Sequence, residues 1–215
     1  MSEPAAGTCA VLIPAFDEAE RVGAVVRVAL DAHLGPVLVI DDGSRDATAE
    51  RARAAGAEVL RLPRNRGKGA AVAAGVAARS EPVLVLLDAD LTGLRPDHVH
   101  ALAAPLLAGR CDMTRGVFAA GRATTTLAQT LAPVLGGQRG VRRELIASVD
   151  GLRDARFGVE ILLEQAARRA GWRREDVRLD GVAQVMKEEK RGWWPGLRAR
   201  LAMYRDVLRA WWVRG

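Results

Sequence analysis

The chain has 215 residues, 49% of them apolar and 27% charged, with a formal net charge of +6. That balance belongs to a folded globule of one α/β domain, with or without an appendage, and excludes a disordered or fibrous chain. No window approaches the ~18 consecutive apolar residues of a membrane-spanning helix, and the N-terminus lacks the basic-then-apolar order of a signal peptide.

The cytoplasm is therefore the expected location. The two cysteines, Cys9 and Cys111, have no disulfide or zinc spacing and read as reduced core residues. The positive charge points to an anionic partner: a phosphorylated molecule, nucleic acid or a lipid surface.

In chain order, the apolar run from Cys9 to Pro14 predicts a first strand, and the spacing of Val22, Val25, Val26 and Ala29 a helix over 19–34. A second strand follows over Pro36 to Asp41. Asp46 is a good N-cap for a helix to Ala55, which Gly56 ends. A short strand over Glu58 to Leu62, an Ala-rich helix over Lys68 to Ala78 and a strand over Pro82 to Leu87 complete the first half. This βαβαβαβ alternation predicts a mostly parallel central sheet flanked by helices, in which ligands bind beyond the carboxyl ends of the strands.

The second half is less regular. A helix is expected over Pro96 to Gly109 and a strand over Asp112 to Phe118. A Gly-rich loop over Gly136 to Gly140 precedes a helix from about Arg142 to Val149. An amphipathic helix over Phe157 to Gly171, a strand over Val177 to Val185 and a last helix over Pro195 to Val213 follow. No internal repeat or long linker is visible, so residues 1–192 read as one domain and 193–215 as a C-terminal amphipathic helix.

The chemistry concentrates at strand ends. The run "VLVLLDAD" drives five apolar residues into Asp88 and Asp90. In an extended chain, i and i+2 share a face, and paired carboxylates want a counter-charge such as a divalent cation. Exposed turn residues are the plain alternative. Lys68, after a glycine turn and at a helix start, sets an ammonium and backbone N–H groups near an anion, or else lies on a solvated helix start.

Four stretches in register, "VLIPAFDEAERV", "VLVIDDGSRDAT", "NRGKGAAV" and "LVLLDADL", resemble the family 2 glycosyltransferases and their relatives. These include polyprenyl- and dolichyl-phosphate sugar transferases and glucosyl-3-phosphoglycerate synthases, and their nucleotide-sugar-binding fold is called GT-A. The resemblance implies a metal-dependent glycosyltransferase. Pro14, Ala15 and Glu18 would hold the nucleoside, Asp42 would contact the base, and Lys68 would lie near the donor diphosphate. Asp88 would contact ribose or the metal shell, and Asp90 would bind Mg²⁺ or Mn²⁺. Asp41 and Asp46 are expected to be structural.

In the second half, "GGQRGVRRE" looks like the acceptor-side loop, with Gln138 and Arg139 facing an acceptor and Arg142 and Arg143 suited to its phosphate. "FGVEILL" resembles the element that places a glutamate against the donor sugar, here Glu160. The chain departs from the family at Gln184, in "VAQVMKEEK", where relatives carry a histidine as third metal ligand. Gln offers an oxygen suited to Mg²⁺ and weaker than imidazole for Mn²⁺. His33, His98 and His100 lie outside these elements and read as surface or structural.

The tail carries eight basic and three acidic residues from Lys187 onward, with Trp193, Trp194, Trp211 and Trp212. Its apolar stripe suits an anionic membrane surface or packing on the domain or a homodimer partner. With no evident general base for a hydroxyl, a polyprenyl phosphate acceptor is the first expectation and a soluble phosphorylated acid the alternative. A catalytically weak nucleotide-sugar-binding protein is a third reading. A nucleotidyltransferase would carry a Gly-rich basic loop where "PAFDEAE" stands. A nucleic-acid module would need a stacking platform that the few aromatics do not supply.

Overall fold

A computed structural model of the chain describes residues 8–118, 137–155 and 158–184. Seven strands form one sheet in the order β3-β2-β1-β4-β7-β6-β8. They are β1 (Cys9–Ala15), β2 (Val37–Asp41), β3 (Glu58–Arg61), β4 (Val83–Leu86), β6 (Met113–Phe118), β7 (Arg139–Arg142) and β8 (Arg174–Leu179). All pairs are parallel except those of β7, which runs antiparallel to both β4 and β6. Two short strands, β5 (Leu91–Thr92) and β9 (Ala183–Gln184), form a separate antiparallel pair.

Strand pleating divides the core. Cys9, Val11 and Ile13 of β1 face one way and pack with α1 (Val22–Asp31) and α4 (Pro96–Leu107). Ala10 and Leu12 face the other way, toward α3 (Lys68–Ala78), α5 (Arg143–Ala147) and α6 (Val159–Arg169). The remaining helix, α2 (Thr48–Ala54), connects β2 to β3. Both faces of β1 are covered, which is why its sequence is a continuous apolar run. Strand order reverses between β1 and β4, so the carboxyl ends there open a crevice.

The first half follows the sequence reading to within a few residues at element ends, and α3 matches it fully. Four differences matter. First, β4 stops at Leu86, and Ala89 and Asp90 form a turn, so strand pleating does not hold Asp88 and Asp90 together. Second, Arg139 to Arg142 is a strand rather than loop and helix start, because its groups complete the sheet between β4 and β6. Third, the strand expected over Val177 to Val185 is two strands, broken at the Asp180–Gly181 turn. Fourth, α2 starts at Thr48, with Asp46 accepting from the Thr48 N–H at 3.0 Å rather than standing as the cap residue itself. The C-terminal helix expected over 195–213 lies outside the described residues, as do Gly136 and Phe157.

Both cysteines are free and buried. Burial, together with Glu81 nearby, pushes the Cys9 thiol up to about 12, as suits an inert core residue.

Candidate functional site

Backbone hydrogen bonds bring the ends of β1, β2 and β4 together. The Asp42 N–H donates to the Ala15 carbonyl at 2.8 Å, and the Leu87 N–H to the Leu12 carbonyl at 3.0 Å. The loop after β1 is then stitched to the loop after β2. Asp17, at a φ of 54° that Asp tolerates better than most residues, donates its N–H to Ser44 Oγ at 3.0 Å and accepts the Arg45 N–H at 2.9 Å. Glu18 N–H donates to Thr48 Oγ1 at 2.8 Å, and Ala19 N–H to Asp46 at 3.1 Å. These roles of Asp17, Ser44 and Thr48 escaped the sequence reading, since only the fold sets the two loops side by side. Pro14 and Ala15 end β1 at the same place.

Asp41 and Asp46 have the structural roles expected of them. Asp41 is fully buried, accepts the Ser44 N–H at 2.8 Å and lies 3.3 Å from Arg61 Nε. Asp42 is 3% exposed, and both of its carboxylate oxygens are engaged by backbone. The Arg66 N–H donates at 2.9 Å and the Gly67 N–H at 2.7 Å. Burial raises the Asp42 carboxyl above its ordinary value, against the pull of those two N–H groups.

Lys68 opens α3, and its ammonium is 2.5 Å from Asp88 Oδ1 and 2.5 Å from Glu160 Oε1. Burial opposes its charge, but the two carboxylates win and hold the group above the usual lysine value. The other oxygen of Asp88 accepts from the Gln138 side-chain amide at 3.0 Å. Gly137 makes that approach feasible: a β-carbon there would stand 2.2 Å from Asp88 Oδ2. The structure thus gathers Lys68, Asp88, Gln138 and Glu160 from four separate stretches.

Asp90 follows in the turn, 6% exposed. One residue on, Leu91 pairs with Gln184 across β5 and β9, so the backbone of Gln184 lies alongside the end of the Asp-Ala-Asp segment. Among the described residues no three His, Cys, Asp or Glu side chains gather as a metal cage. The available donors are oxygens, and Asp88 shares its carboxylate with Lys68. Such a set fits a hard cation that completes its shell with phosphate oxygens and water, and does not fit a closed zinc-type centre.

Arg139 is where the structure corrects the reading. It is 1% exposed and turned into the protein, rather than facing an acceptor. Its Nη1 lies 3.9 Å from Met113 Sδ and 3.9 Å from Glu164 Oε2. Register explains this: Arg139 pairs with Arg115 across β7 and β6, so both side chains share one sheet face, under α6. Glu164, 3% exposed, stands among Arg115, Arg139, Arg168 and Arg174. Arg142 meets Asp112 at 3.3 Å. Two surface clefts meet near Val149, one of about 470 Å³ along α6 and one of about 340 Å³ between α3 and α5; Arg143 lines the second, and neither contains Lys68, Asp88, Asp90 or Glu160.

Comparison with known proteins agrees with this layout. Residues 10–149 match the family described as "Glycosyl transferase family 2". A glucosyl-3-phosphoglycerate synthase of Mycolicibacterium paratuberculosis is 31% identical over 83% of this chain and 63% of its own length. One from Mycolicibacterium smegmatis is 32% identical over 83% and 68%. The chain thus spans about two thirds or less of the first of these relatives. The crystal structure of the Mycobacterium tuberculosis glucosyl-3-phosphoglycerate synthase with Mn²⁺, uridine diphosphate and glucosyl-3-phosphoglycerate superposes with a TM-score of 0.70 at 30% identity, over 83% of this chain and 72% of that one. The same enzyme with Mg²⁺ and uridine diphosphate gives 0.68. The expected GT-A architecture is therefore the fold of this chain.

Proposed function

The chain belongs to glycosyl transferase family 2, and on that premise we propose that it transfers a hexose from a nucleoside-diphosphate sugar, with UDP-glucose the first candidate, to a soluble phosphorylated acid of the phosphoglycerate kind. The observation that carries the reading is the Lys68 ammonium at the head of α3, held between Asp88 and Glu160 beside the β1/β4 crevice. A fixed cation at a helix N-terminus is suited to a diphosphate. Relatives 31% and 32% identical over the aligned stretch are named as glucosyl-3-phosphoglycerate synthases. The Mycobacterium tuberculosis enzyme of the same name has been solved with UDP-glucose and phosphoglyceric acid, and with UDP-glucose and glycerol 3-phosphate.

In this reading Glu18 and the backbone of Pro14 and Ala15 orient the nucleoside. Asp90, with the backbone of Gln184 alongside, would hold Mg²⁺ or Mn²⁺, and the ion would supply Lewis-acid stabilisation to the diphosphate leaving group. Glu160 faces the donor sugar. As the bond from the anomeric carbon to the diphosphate breaks and the bond to the acceptor hydroxyl oxygen forms, the hydroxyl proton passes to the departing diphosphate, which leaves as the nucleoside diphosphate. The relatives' phosphoglycerate favours the soluble acid over the polyprenyl phosphate first expected. Among the described residues no helix is long and apolar enough to cross a membrane. The basic, Trp-bearing tail that motivated a lipid acceptor or a dimer contact lies outside the described residues.

The test is a transfer assay with UDP-glucose and Mn²⁺ or Mg²⁺, offering 3-phosphoglycerate in one arm and polyprenyl phosphate in vesicles in the other. Metal-dependent product with 3-phosphoglycerate alone is expected. Product only with polyprenyl phosphate would overturn the acceptor. UDP-glucose binding without turnover in either arm would favour a sugar-nucleotide-binding protein.

A further inference from the structure

We propose that Asp42 is a positioning residue for Lys68, acting through the backbone of the loop that opens α3. The inference rests on the reading of Lys68 as a diphosphate-binding group.

Both oxygens of the Asp42 carboxylate are occupied by consecutive N–H groups, those of Arg66 and Gly67, at 2.9 and 2.7 Å. These are the two residues immediately before Lys68. Gly67 itself adopts φ 94° and ψ 162°, a region open essentially to glycine alone. That conformation lets its N–H turn back to Asp42 while its carbonyl already accepts the first helical bonds, from Ala70 and Ala71 at 3.0 and 3.2 Å. The direction in which α3 leaves the loop, and with it the Cα of Lys68, is therefore set by the carboxylate of Asp42.

The two loops are locked by a second, independent contact. A β-carbon on Gly43 would stand 2.6–2.8 Å from the backbone of Arg64 and Asn65, and its φ is +72°. The backbone after β2 thus lies directly against the backbone after β3. Leu62 N–H adds a bond to the Asp41 carbonyl at 2.8 Å. The side chains of Arg64, Asn65 and Arg66 are exposed, so the loop is held by backbone rather than by buried side chains. An anionic acceptor is well matched to such a loop, because it serves two N–H donors at once and charge-assisted bonds are about twice as strong as neutral ones. Asn offers a single acceptor oxygen and turns an N–H₂ toward one of the two donors.

Positioning and base reading differ in which ligand each would affect. The probes are Mn²⁺ with inorganic pyrophosphate, which has no base, and Mn²⁺ with uridine diphosphate, measured by calorimetry on the full chain. Asp42→Asn is expected to weaken both, pyrophosphate by about tenfold for one lost hydrogen bond of this kind. Loss for uridine diphosphate with pyrophosphate unchanged overturns the proposal in favour of base reading.

Gly43→Ala disturbs the same lock without touching any group that could meet a base. It is expected to weaken pyrophosphate as Asp42→Asn does, and unchanged affinity counts against the proposal. Amide exchange at Arg66 and Gly67 separates this inference from the donor-site reading. Asp42→Asn should speed exchange at both amides at least tenfold. Unchanged exchange would overturn the latch even where the wild-type chain binds both probes. Faster exchange in Asp42→Asn, where the wild-type chain binds neither probe, would leave the latch standing and remove the donor reading of Lys68.

Discussion

Lys68 and Glu160 are 92 positions apart in the sequence, and the ammonium of one lies 2.5 Å from a carboxylate oxygen of the other. Their side chains are only 22% and 11% exposed, and Asp88 completes the cluster at the same distance. One cation is shared by two carboxylates, so the cluster without a ligand carries a net negative charge. In the proposed reading a diphosphate would meet Lys68 already engaged, and a divalent cation held by Asp90 would offset that negative charge.

Removing the Lys68 charge is expected to hurt the empty protein as well as the bound one. Lys68→Met leaves two neighbouring carboxylates without their common partner, and breaking such a pair costs about 2–3 kcal/mol at this partial burial. Thermal melts without ligand should show a loss of several degrees. Lys68→Met/Glu160→Gln should regain part of it, because one of the stranded charges is gone. A double variant no more stable than the single one would show that the coupling is not electrostatic.

Asp90→Asn is expected to leave the fold intact and remove metal-dependent ligand binding. Asp90 lies in a turn outside the seven-stranded sheet, so the ligand-free melting temperature should stay within about 2 °C of wild type, a change below 1 kcal/mol for a chain of this size. Uridine diphosphate should then bind with the same affinity in the presence and absence of Mn²⁺. A Mn²⁺-dependent gain that survives the substitution would remove Asp90 from metal binding.

Asp112 ties three strands at one end of the sheet. It accepts from the Arg173 backbone at 2.9 Å and from the Arg173 guanidinium at 2.9 and 3.1 Å, and it lies 3.3 Å from Arg142. The Arg173 side-chain bonds, working against partial burial, lower its carboxyl to about 2. A depressed carboxyl favours the folded state above the unfolded value of 3.8 and loses that advantage as pH falls toward 2. The guanidinium of Arg173 is half exposed, so solvent screening leaves about 1 kcal/mol. Asp112→Asn should lose that stability at pH 7 and converge with wild type near pH 2, as denaturant melts at a series of pH values would read.

His98 supplies an opposite test of burial. It is 4% exposed in the first turn of α4, its Nδ1 accepts the Arg95 N–H at 3.3 Å, and its Nε2 is buried without a hydrogen-bond partner among the described residues. Burial, with Arg95 beside it, lowers its value below the ordinary 6.5, against the pull of Asp97 and Asp180. A histidine depressed in the folded state contributes stability above pH 6.5 that is lost as pH falls through its folded value. His98→Asn, which keeps a capping oxygen, should flatten the stability profile as pH falls below 6.5. A profile as steep as wild type would point to another group.

Much of this protein could be read from its letters. Local apolar periodicity placed β1, α1, β2, α3 and α4 because each element buries its own stripe regardless of its partners. The acidic and glycine-rich ends of β1, β2 and β4 marked the crevice, since loops at strand ends must satisfy their polar groups there. The four motifs in register named the family. Arg139 to Arg142 was unreadable as a strand, because "RGVR" has no β pattern and becomes one only when β4 and β6 offer it a place in the sheet. The same pairing turned Arg139 inward to Glu164. The hold of Asp42 on Arg66 and Gly67, and the meeting of Lys68 with Glu160, likewise belong to tertiary structure. Periodicity along a chain reports which residues share a face, whereas distances between segments follow from how the sheet orders its strands.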